Sequence, residues 1–288
     1  ITAFSFYNIT WSGTTSLTLD RSIRVTTLDL TTNGLIYLGN FDMSISFSGS
    51  ISGSPFSASK MIVTDGTGSL IRFISAGTGI PFTWPIGEVT GSAEYSPVSI
   101  TTLAGNSATN AFIGFRVTDG AEPNNGLASN YLTRYWTYTT GNLTAGSTWS
   151  NATFGYTAGD IVGTETSLKV NAFNSGTSAW TEFASSSAAS NTLTFTSGAS
   201  TTTISTGNTI TGRVDPPLYY RSASSGAWGT AATWIVSTDA SFVSPTGVAA
   251  TSVPTAANSI GITIMTGHNI TSSAFVSADQ LVIQTGGS

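Results

Sequence analysis

Short runs of alternating hydrophobic and polar residues recur along most of the chain, most clearly at 22–30, 35–47, 112–118, 131–138, 192–196 and 260–265. A period of two places every second side chain on one face, as in a half-buried strand. Thr, Val, Ile and aromatic residues, which favour sheets, fill these runs. Turn-forming pairs such as Asn33-Gly34, Asp65-Gly66 and Asp119-Gly120 separate them. The pattern predicts an all-β fold.

One stretch, 181–190, is rich in Ser and Ala and has a helix-like composition. It lacks an apolar stripe with the spacing of a helix face, so we interpret it as a loop. The sequence therefore predicts negligible helix.

Residues 1–68 carry brief apolar pulses separated by a few small turn residues. The pulses are Leu17 and Leu19, Ile23 and Val25, Leu28 and Leu30, Leu35 to Leu38, and Met43, Ile45 and Phe47. Short strands of this kind are typical of stacked rungs, in which each turn of chain covers the one below. The segment is predicted to be β-solenoid-like, with a repeat too irregular to fix a rung length.

Residues 69–214 have larger aromatic residues and turn signals every 8–12 residues, which favours a central β-sandwich or jelly roll. The segment Asp215-Pro216-Pro217 then interrupts the pattern, because proline cannot donate a ladder hydrogen bond. Residues 215–288 form a third, smaller β-segment that ends in pulses at 260–265 and 281–283. Three segments are thus predicted, with boundaries after 68 and after 214.

Charge is scarce: 8% of the residues are charged, about a third of the ~25% usual in soluble domains. Hydrophobic residues make up 40%, which excludes the profile of low hydrophobicity and high charge that is typical of a disordered chain. Nine basic residues spread over 288 positions cannot build a phosphate-binding patch, so nucleic-acid binding is excluded. There is no cysteine for disulfides or thiolate metal sites. No run approaches the roughly 18 apolar residues of a membrane span.

The third segment carries a recognisable series of motifs. It reads Ser225-Gly226-Ala227-Trp228, Ala232-Thr233-Trp234, Val253-Pro254, Ile260-Gly261-Ile262-Thr263-Ile264, Gly267-His268-Asn269-Ile270-Thr271 and Leu281-Val282-Ile283. This series resembles the pattern that opens solenoid segments in large secreted surface proteins of Bacteroidota. The middle segment is similar to those proteins at 64–70, 82–87, 95–98, 134–136 and 158–163.

The resemblance implies an extracellular or cell-surface protein, exported by the type IX pathway, that acts as an adhesin, a gliding-associated filament or surface-layer material. The chain begins at Ile1 without a signal region and has no C-terminal sorting domain that we recognise. We interpret it as a processed product or an internal fragment.

A structural role follows from the two ends of the pattern. The first segment resembles the continuation of a solenoid and the third resembles an opening, so each end is expected to present uncovered strands. Such edges are usually blunted by lysine or proline, yet Lys60 and Lys169 lie near neither end. We expect head-to-tail contact with another copy, as a filament subunit or a repeat of a giant adhesin. The alternative is a module that binds surface glycans.

Candidate catalytic residues are few, and we expect no enzyme. His268 is the only histidine, lies between Gly267 and Asn269, and is interpreted as a turn residue. No G-x-S-x-G nucleophile motif occurs. Paired carboxylates hydrolyse glycosides in many enzymes, and Glu88 with Glu94 or Asp160 with Glu165 are the candidate pairs here. All four are expected at turns.

Flat aromatic side chains on a sheet face can bind sugar rings. Trp136 lies within an alternating run and is expected in the core, whereas Trp149 and Trp180 are candidates for exposure. These two tryptophans would be the platform of a glycan-binding module.

A loop at 119–126 gathers oxygen ligands. Asp119, Glu122, Asn124 and Asn125 supply two carboxylates and two amides, and Ca²⁺ takes six to eight such oxygens. The spacing differs from that of an EF-hand, and Asp, Asn and Gly are also ordinary turn residues. The loop is a candidate calcium site, and no other cofactor is expected.

Overall fold

A computed structural model gives the fold of the chain. It describes residues 4–76, 81–183, 185–196, 199–200, 208–214, 218–243, 247–250, 252–256, 258–278 and 280–288. The chain divides into two compact units, Ile1–Val214 and Asp215–Ser288.

The first unit is built from short strands. In chain order they are β1 Phe4–Trp11, β2 Leu17–Thr18, β3 Ile23–Leu30, β4 Gly34–Tyr37, β5 Met43–Ser52, β6 Lys60–Val63, β7 Leu70–Ile74, β8 Phe82–Trp84, β9 Ile86–Glu88, β10 Glu94–Tyr95, β11 Val98–Ala104, β12 Ala111–Asp119, β13 Tyr131–Gly141, β14 Thr148–Gly155, β15 Ile161–Val162, β16 Lys169–Asn174, β17 Ala179–Glu182, β18 Ser186–Ala189, β19 Thr192–Phe195, β20 Ala199–Ser200 and β21 Thr209–Arg213.

The second unit continues the same style. Its strands are β22 Leu218–Ser222, β23 Gly226–Ala227, β24 Trp234–Ser237, β25 Val248–Ala249, β26 Ser259–Ile264, β27 Ile270–Thr271 and β28 Leu281–Ile283. The helical segments of the described chain are three 3₁₀ turns, Ala158–Asp160, Glu165–Ser167 and Ala231–Thr233. Strand accounts for 52% of the residues and helix for 3%, so the predicted all-β fold is confirmed.

The interpretation of 181–190 as a loop was wrong. Strand β17 ends within this stretch and β18 lies inside it. Ser186 and Ala188 are buried and their neighbours are exposed, so small residues at period two line the core as larger ones do elsewhere. Ser190 and Asn191 both have positive φ, at 52° and 58°, which joins β18 to β19 as a tight hairpin.

The predicted β-solenoid is confirmed for the first rungs. Parallel strands β1, β3, β5 and β7 begin the long sheet, and parallel strands β2, β4, β6 and β9 begin a second, short sheet that ends in β10. The chain alternates between the two sheets, so each passage through both is one rung. Paired positions 4, 23, 43 and 70 give steps of 19, 20 and 27 residues.

Paired residues stack in columns between the two sheets. The columns are Phe4 with Ile23, Met43 and Leu70; Phe6 with Val25, Ile45 and Arg72; and Leu17 with Ile36, Ile62 and Ile86. Apart from Phe4, Phe6 and Leu17 on the outermost strands and the charged Arg72, the members are apolar and buried, so stacked rungs bury their apolar faces against one another.

Beyond β7 the strands of the long sheet are antiparallel instead of parallel. Strands β12, β13, β21, β16 and β17 follow one another antiparallel, with β15 beside β13. A further antiparallel sheet runs in the order β18, β19, β14, β11 and β8, with β20 beside β14. Rings from the two sheets meet: Tyr138 stacks on Trp149 at 5.7 Å between centroids, and Trp136 packs on Phe154 at 5.1 Å. One apolar core joins these rings to the solenoid columns.

The second unit has its own core. Its main sheet runs β25, β24, β22, β26 and β28, and β22, β26 and β28 are parallel. Trp228 and Trp234 pack edge to face at 5.0 Å in the core beneath this sheet. His268 ends a turn in which its amide donates to the carbonyl of Met265, which confirms its interpretation as a turn residue.

The boundary predicted after residue 68 stays a prediction, and the solenoid columns share one core with the strands that follow them. In the described residues, no helix has the length and apolar character that crossing a membrane requires.

Candidate functional site

The outermost strand of the long sheet leaves two core positions uncovered. Phe4 and Phe6 on β1 occupy the columns of Ile23 and Val25, which are 6% and 0% exposed. Phe4 and Phe6 are nevertheless 58% and 45% exposed, because no described strand lies on their outer side. The guanidinium of Arg21 lies over the Phe4 ring, at 4.8 Å. Among the described residues, the β1 edge is therefore an apolar rung surface without a covering rung.

The second unit repeats this arrangement at β28. Leu281 and Ile283 pair with Ile262 and Ile264 of β26, both of which are buried. The two β28 residues are 45% and 52% exposed. Each unit thus has one parallel edge strand whose inward side chains meet solvent.

Such an edge can bind another strand. Unpaired backbone groups along β1 and β28 offer ladder hydrogen bonds, and the inward apolar side chains offer area to bury. Burial of apolar surface stabilises by about 25 cal/mol per Å². The arrangement supports binding of a further rung at either edge.

A buried charge cluster lies elsewhere in the first unit, around Arg134 of β13. The guanidinium is completely buried, and its Nε donates to Asp160 Oδ2 at 2.7 Å. Nη1 donates to Glu88 Oε1 at 3.4 Å, and Nη2 donates to Glu94 Oε2. Asp119 Oδ1 lies 3.8 Å from Nη2. One cation therefore faces four carboxylates.

Burial and the excess of carboxylates over cations in this cluster shift the pKa values of Arg134 and Glu94. Burial acts to lower the pKa of Arg134, but the hydrogen bond and charge of Asp160, together with the charges of Glu94 and Glu88, raise it. Burial is also the main cause that raises the pKa of Glu94; the charge of Arg134 opposes this rise, and the charges of Asp160, Glu88 and Asp119 add to it. Glu94 therefore takes up a proton at a higher pH than an ordinary glutamate does.

Three of these carboxylates, Glu94, Asp119 and Asp160, place oxygen atoms within 4.8 Å of one another, a spacing that could hold a cation. The guanidinium of Arg134 already supplies positive charge there. The cluster is best explained as a structural cross-link between β13, β10 and the Ala158–Asp160 turn.

The structure brings the members of one candidate glycosidase pair together but not those of the other. Glu88 and Glu94 face each other across the β9–β10 pairing and share Arg134. Asp160 joins the same cluster, but Glu165 accepts hydrogen bonds from Tyr156 and from the amide of Asn191, both at 2.7 Å. The predicted pair Asp160 and Glu165 thus contacts different partners.

The candidate calcium residues do not act as one group. Asp119 faces Arg134, whereas Glu122 is buried and accepts hydrogen bonds from Asn124 and from Thr209 Oγ1. The carbonyl oxygens of Asn124 and Asn125 accept hydrogen bonds from Trp180 and Arg213. Calcium binding here stays a prediction, which calorimetric titration tests.

The tryptophan platform is only partly available. Trp136 is fully buried, as expected, but Trp149 is fully buried too, so its predicted exposure was wrong. Trp180 is half-buried, and the guanidinium of Arg213 covers its ring at 4.1 Å. Sugar stacking on these tryptophans therefore has little support.

Sequence reasoning missed Arg134, although a signal was present. The alternation in β13 places Arg134 on the same face as Leu132, Trp136 and Tyr138, all of which are buried. An arginine on an apolar face needs carboxylate partners. Its partners Asp160, Glu94 and Glu88 lie 26, 40 and 46 residues away, so only the fold identifies them.

Comparison of the chain with protein-family models, with curated proteins and with solved structures found no significant match.

Proposed function

We propose that this chain is an extracellular structural protein, a subunit or repeat of a cell-surface filament or giant adhesin. Its units extend head to tail when a further strand pairs with an edge strand. The single observation that carries the proposal is the exposure of column residues at β1 and β28, while their partners in the next strand are buried.

The chemistry of the edges supports addition in parallel. Both β1 and β28 already pair in parallel on their inner side, so a new strand in the same orientation continues each column. The added rung covers Phe4 and Phe6 at one edge or Leu281 and Ile283 at the other. In a repeat protein this rung comes from the same polypeptide, and in a filament it comes from a neighbouring copy.

Matched lysine substitutions test the proposal. Phe6→Lys places a charge in the column that a new rung buries, whereas Tyr7→Lys places the same charge on the adjacent, 77% exposed residue. Burying an unpaired ammonium costs at least a few kcal/mol, so Phe6→Lys is expected to weaken association at least about a hundredfold. Ile283→Lys and Val282→Lys form the corresponding pair on β28.

Sedimentation velocity across a range of concentrations provides the measurement. The parent chain and the control variants Tyr7→Lys and Val282→Lys are expected to gain mass as the concentration rises. The column variants Phe6→Lys and Ile283→Lys are expected to remain monomers. A parent chain that stays monomeric at high concentration contradicts the filament subunit. If its gene also encodes no neighbouring copy, the repeat-protein form fails as well.

We also propose that residues 69–214 form the central β-sandwich expected from the sequence. Support comes from the rings of Tyr138 and Trp136, which pack against Trp149 and Phe154 of the antiparallel sheet. Truncating Trp149 to Ala is expected to cost about 3–5 kcal/mol of unfolding free energy. An experimental structure in which the two sheets do not face each other would contradict this architecture.

A further inference from the structure

A groove of about 270 Å³ lies on the outer face of the long sheet, away from the columns. Its walls include Arg24, Ser46, Phe47, Phe73, Ser75 and Asn110. Two phenyl rings, hydroxyl and amide groups and one guanidinium therefore face the same small space. Arg24 is the single charged residue in the described lining of this groove.

Side-chain size along three neighbouring strands creates the groove. Arg24 of β3 lies opposite Ser44 of β5, and Ser44 lies opposite Ile71 of β7. Because serine is small, the Arg24 side chain extends over β5 and reaches Phe73, with Cζ 3.9 Å from the ring centroid. Phe73 is held from the far side by Phe112, at 5.6 Å between centroids.

The second phenyl ring is placed by a buried arginine. Arg72 donates to the carbonyls of Ser46, Phe47 and Gly49, at 2.7 Å for Phe47 and 2.8 Å for Gly49. These bonds hold the irregular part of β5, where its register with β3 shifts. Phe47 is consequently displayed at the rim and is 57% exposed.

The guanidinium of Arg24 keeps its hydrogen-bonding capacity. Within the described part of the chain it has the cation–π contact with Phe73 but neither a hydrogen bond nor an ion pair. The nearby carboxylate of Asp42 lines a smaller adjoining cleft and accepts a hydrogen bond from the amide of Ser69 at 2.9 Å. A stacked guanidinium with free N–H groups is prepared for a planar carboxylate, which it can bind through two parallel hydrogen bonds.

We propose that this groove binds a carboxylate-bearing sugar, of the uronic-acid type. The carboxylate pairs with Arg24, and the C–H face of the sugar ring lies against Phe47 and Phe73. Ser46, Ser75 and Asn110 supply hydroxyl and amide partners for the sugar hydroxyls. An acidic peptide offers the same carboxylate, but it uses neither the ring faces nor the hydroxyl-rich rim.

Titration with four small probes tests the ligand class. Glucuronate, glucose, acetate and a short glutamate peptide are added to the intact chain, and binding is followed by NMR shifts and calorimetry. Glucuronate is expected to bind at least tenfold more tightly than each of the others. Equal binding of glucose overturns the role of the carboxylate, and equal binding of acetate or the peptide overturns the assignment to a sugar.

Substitutions then locate the site. Arg24→Gln is expected to weaken glucuronate binding at least tenfold, because a hydrogen bond between charged groups is lost. Arg24→Lys keeps the positive charge but cannot form two parallel hydrogen bonds, so its loss of glucuronate affinity should be intermediate. Phe47→Ala, at an exposed position, should weaken binding several-fold without affecting the fold.

Arg21→Gln is the matched control, since Arg21 is exposed and paired with Asp20 outside the groove. It should bind glucuronate as the parent chain does. If Arg24→Gln folds and binds as tightly as Arg21→Gln, the proposal is wrong. This result is independent of assembly, because Arg24 lies outside the edge columns.

Discussion

Arg134 and Asp160 form a buried ion pair, with Arg134 Nε 2.7 Å from Asp160 Oδ2. Asp160 Oδ2 also accepts a hydrogen bond from the amide of Thr157, which fixes the turn that carries it. Replacing Arg134 by Met leaves Asp160 and Glu88 buried without a cation. We expect the unfolding free energy to fall by about 3–5 kcal/mol, as measured by urea denaturation.

The exposed pair Arg21 and Asp20 provides the comparison for that substitution. Arg21→Met removes the same charge at the surface, where solvent screens the ion pair, so it should change stability far less than Arg134→Met does. Equal losses of unfolding free energy from Arg134→Met and Arg21→Met would contradict a stabilising role for the buried cluster.

The Arg134 cluster also predicts a pH dependence through Glu94. Burial raises the pKa of Glu94 above its ordinary value of 4.5, so the folded state binds this proton more tightly than the unfolded state. The stability gained from protonation is complete below pH 4.5 and is lost as the pH rises through the higher folded pKa. In the parent chain, the urea midpoint should therefore decline as the pH rises just above 4.5. In Glu94→Gln, this decline should be smaller.

Asp20→Asn is the control for this pH profile. The hydrogen bond from Arg21 lowers the pKa of Asp20 below 3.8, so its effect should be confined to more acidic solution. A Glu94→Gln profile that parallels the parent chain above pH 4.5 would contradict the assignment to Glu94.

Two buried tyrosines predict opposite responses to loss of a hydroxyl. Tyr138 Oη is buried and has no hydrogen-bond partner among the described residues, and burial raises the pKa of Tyr138. Tyr156 Oη instead donates to Glu165 at 2.7 Å. Tyr138→Phe should raise the unfolding free energy by about 1 kcal/mol and Tyr156→Phe should lower it by about 1 kcal/mol. Thermal and urea unfolding measure both, and changes of the same sign would contradict the contrast.

Arg72 predicts a local effect on β5. Arg72→Leu suits the apolar column but leaves the carbonyls of Ser46, Phe47 and Gly49 without their donor, which should cost about 2–4 kcal/mol. Hydrogen exchange should accelerate around residues 46–50. Arg24→Leu, on the outer face of the same sheet, should cost less than about 1 kcal/mol and leave that exchange unchanged.

Much of the fold was predictable because strand signals are local. The alternation at 112–118 and 131–138 appears as β12 and β13, each slightly longer than predicted. The rung length was not predictable, because extra residues enter between strands without changing the columns. The third step, from Met43 to Leu70, holds 27 residues, yet its column pairs like the others.

The candidate sites depended on contacts that sequence does not reveal. The exposure of Phe4 and Phe6 follows from the absence of a covering strand in the described chain, whereas an identical pattern at Ile23 and Val25 is buried. The groove depends on Arg24, Phe47 and Phe73 from three different rungs. The sequence does not give the spacing of these rungs, and without that spacing it cannot show that the three side chains lie side by side.

The column that starts at Phe6 finishes at Arg72, where a charge replaces an apolar side chain. The strand beyond it, β12, runs antiparallel and pairs Ile113 with Arg72, so parallel growth stops on that side. The stack therefore has one closed face and one open face. An array that lengthens the stack by adding rungs therefore has a direction, because its two ends differ chemically.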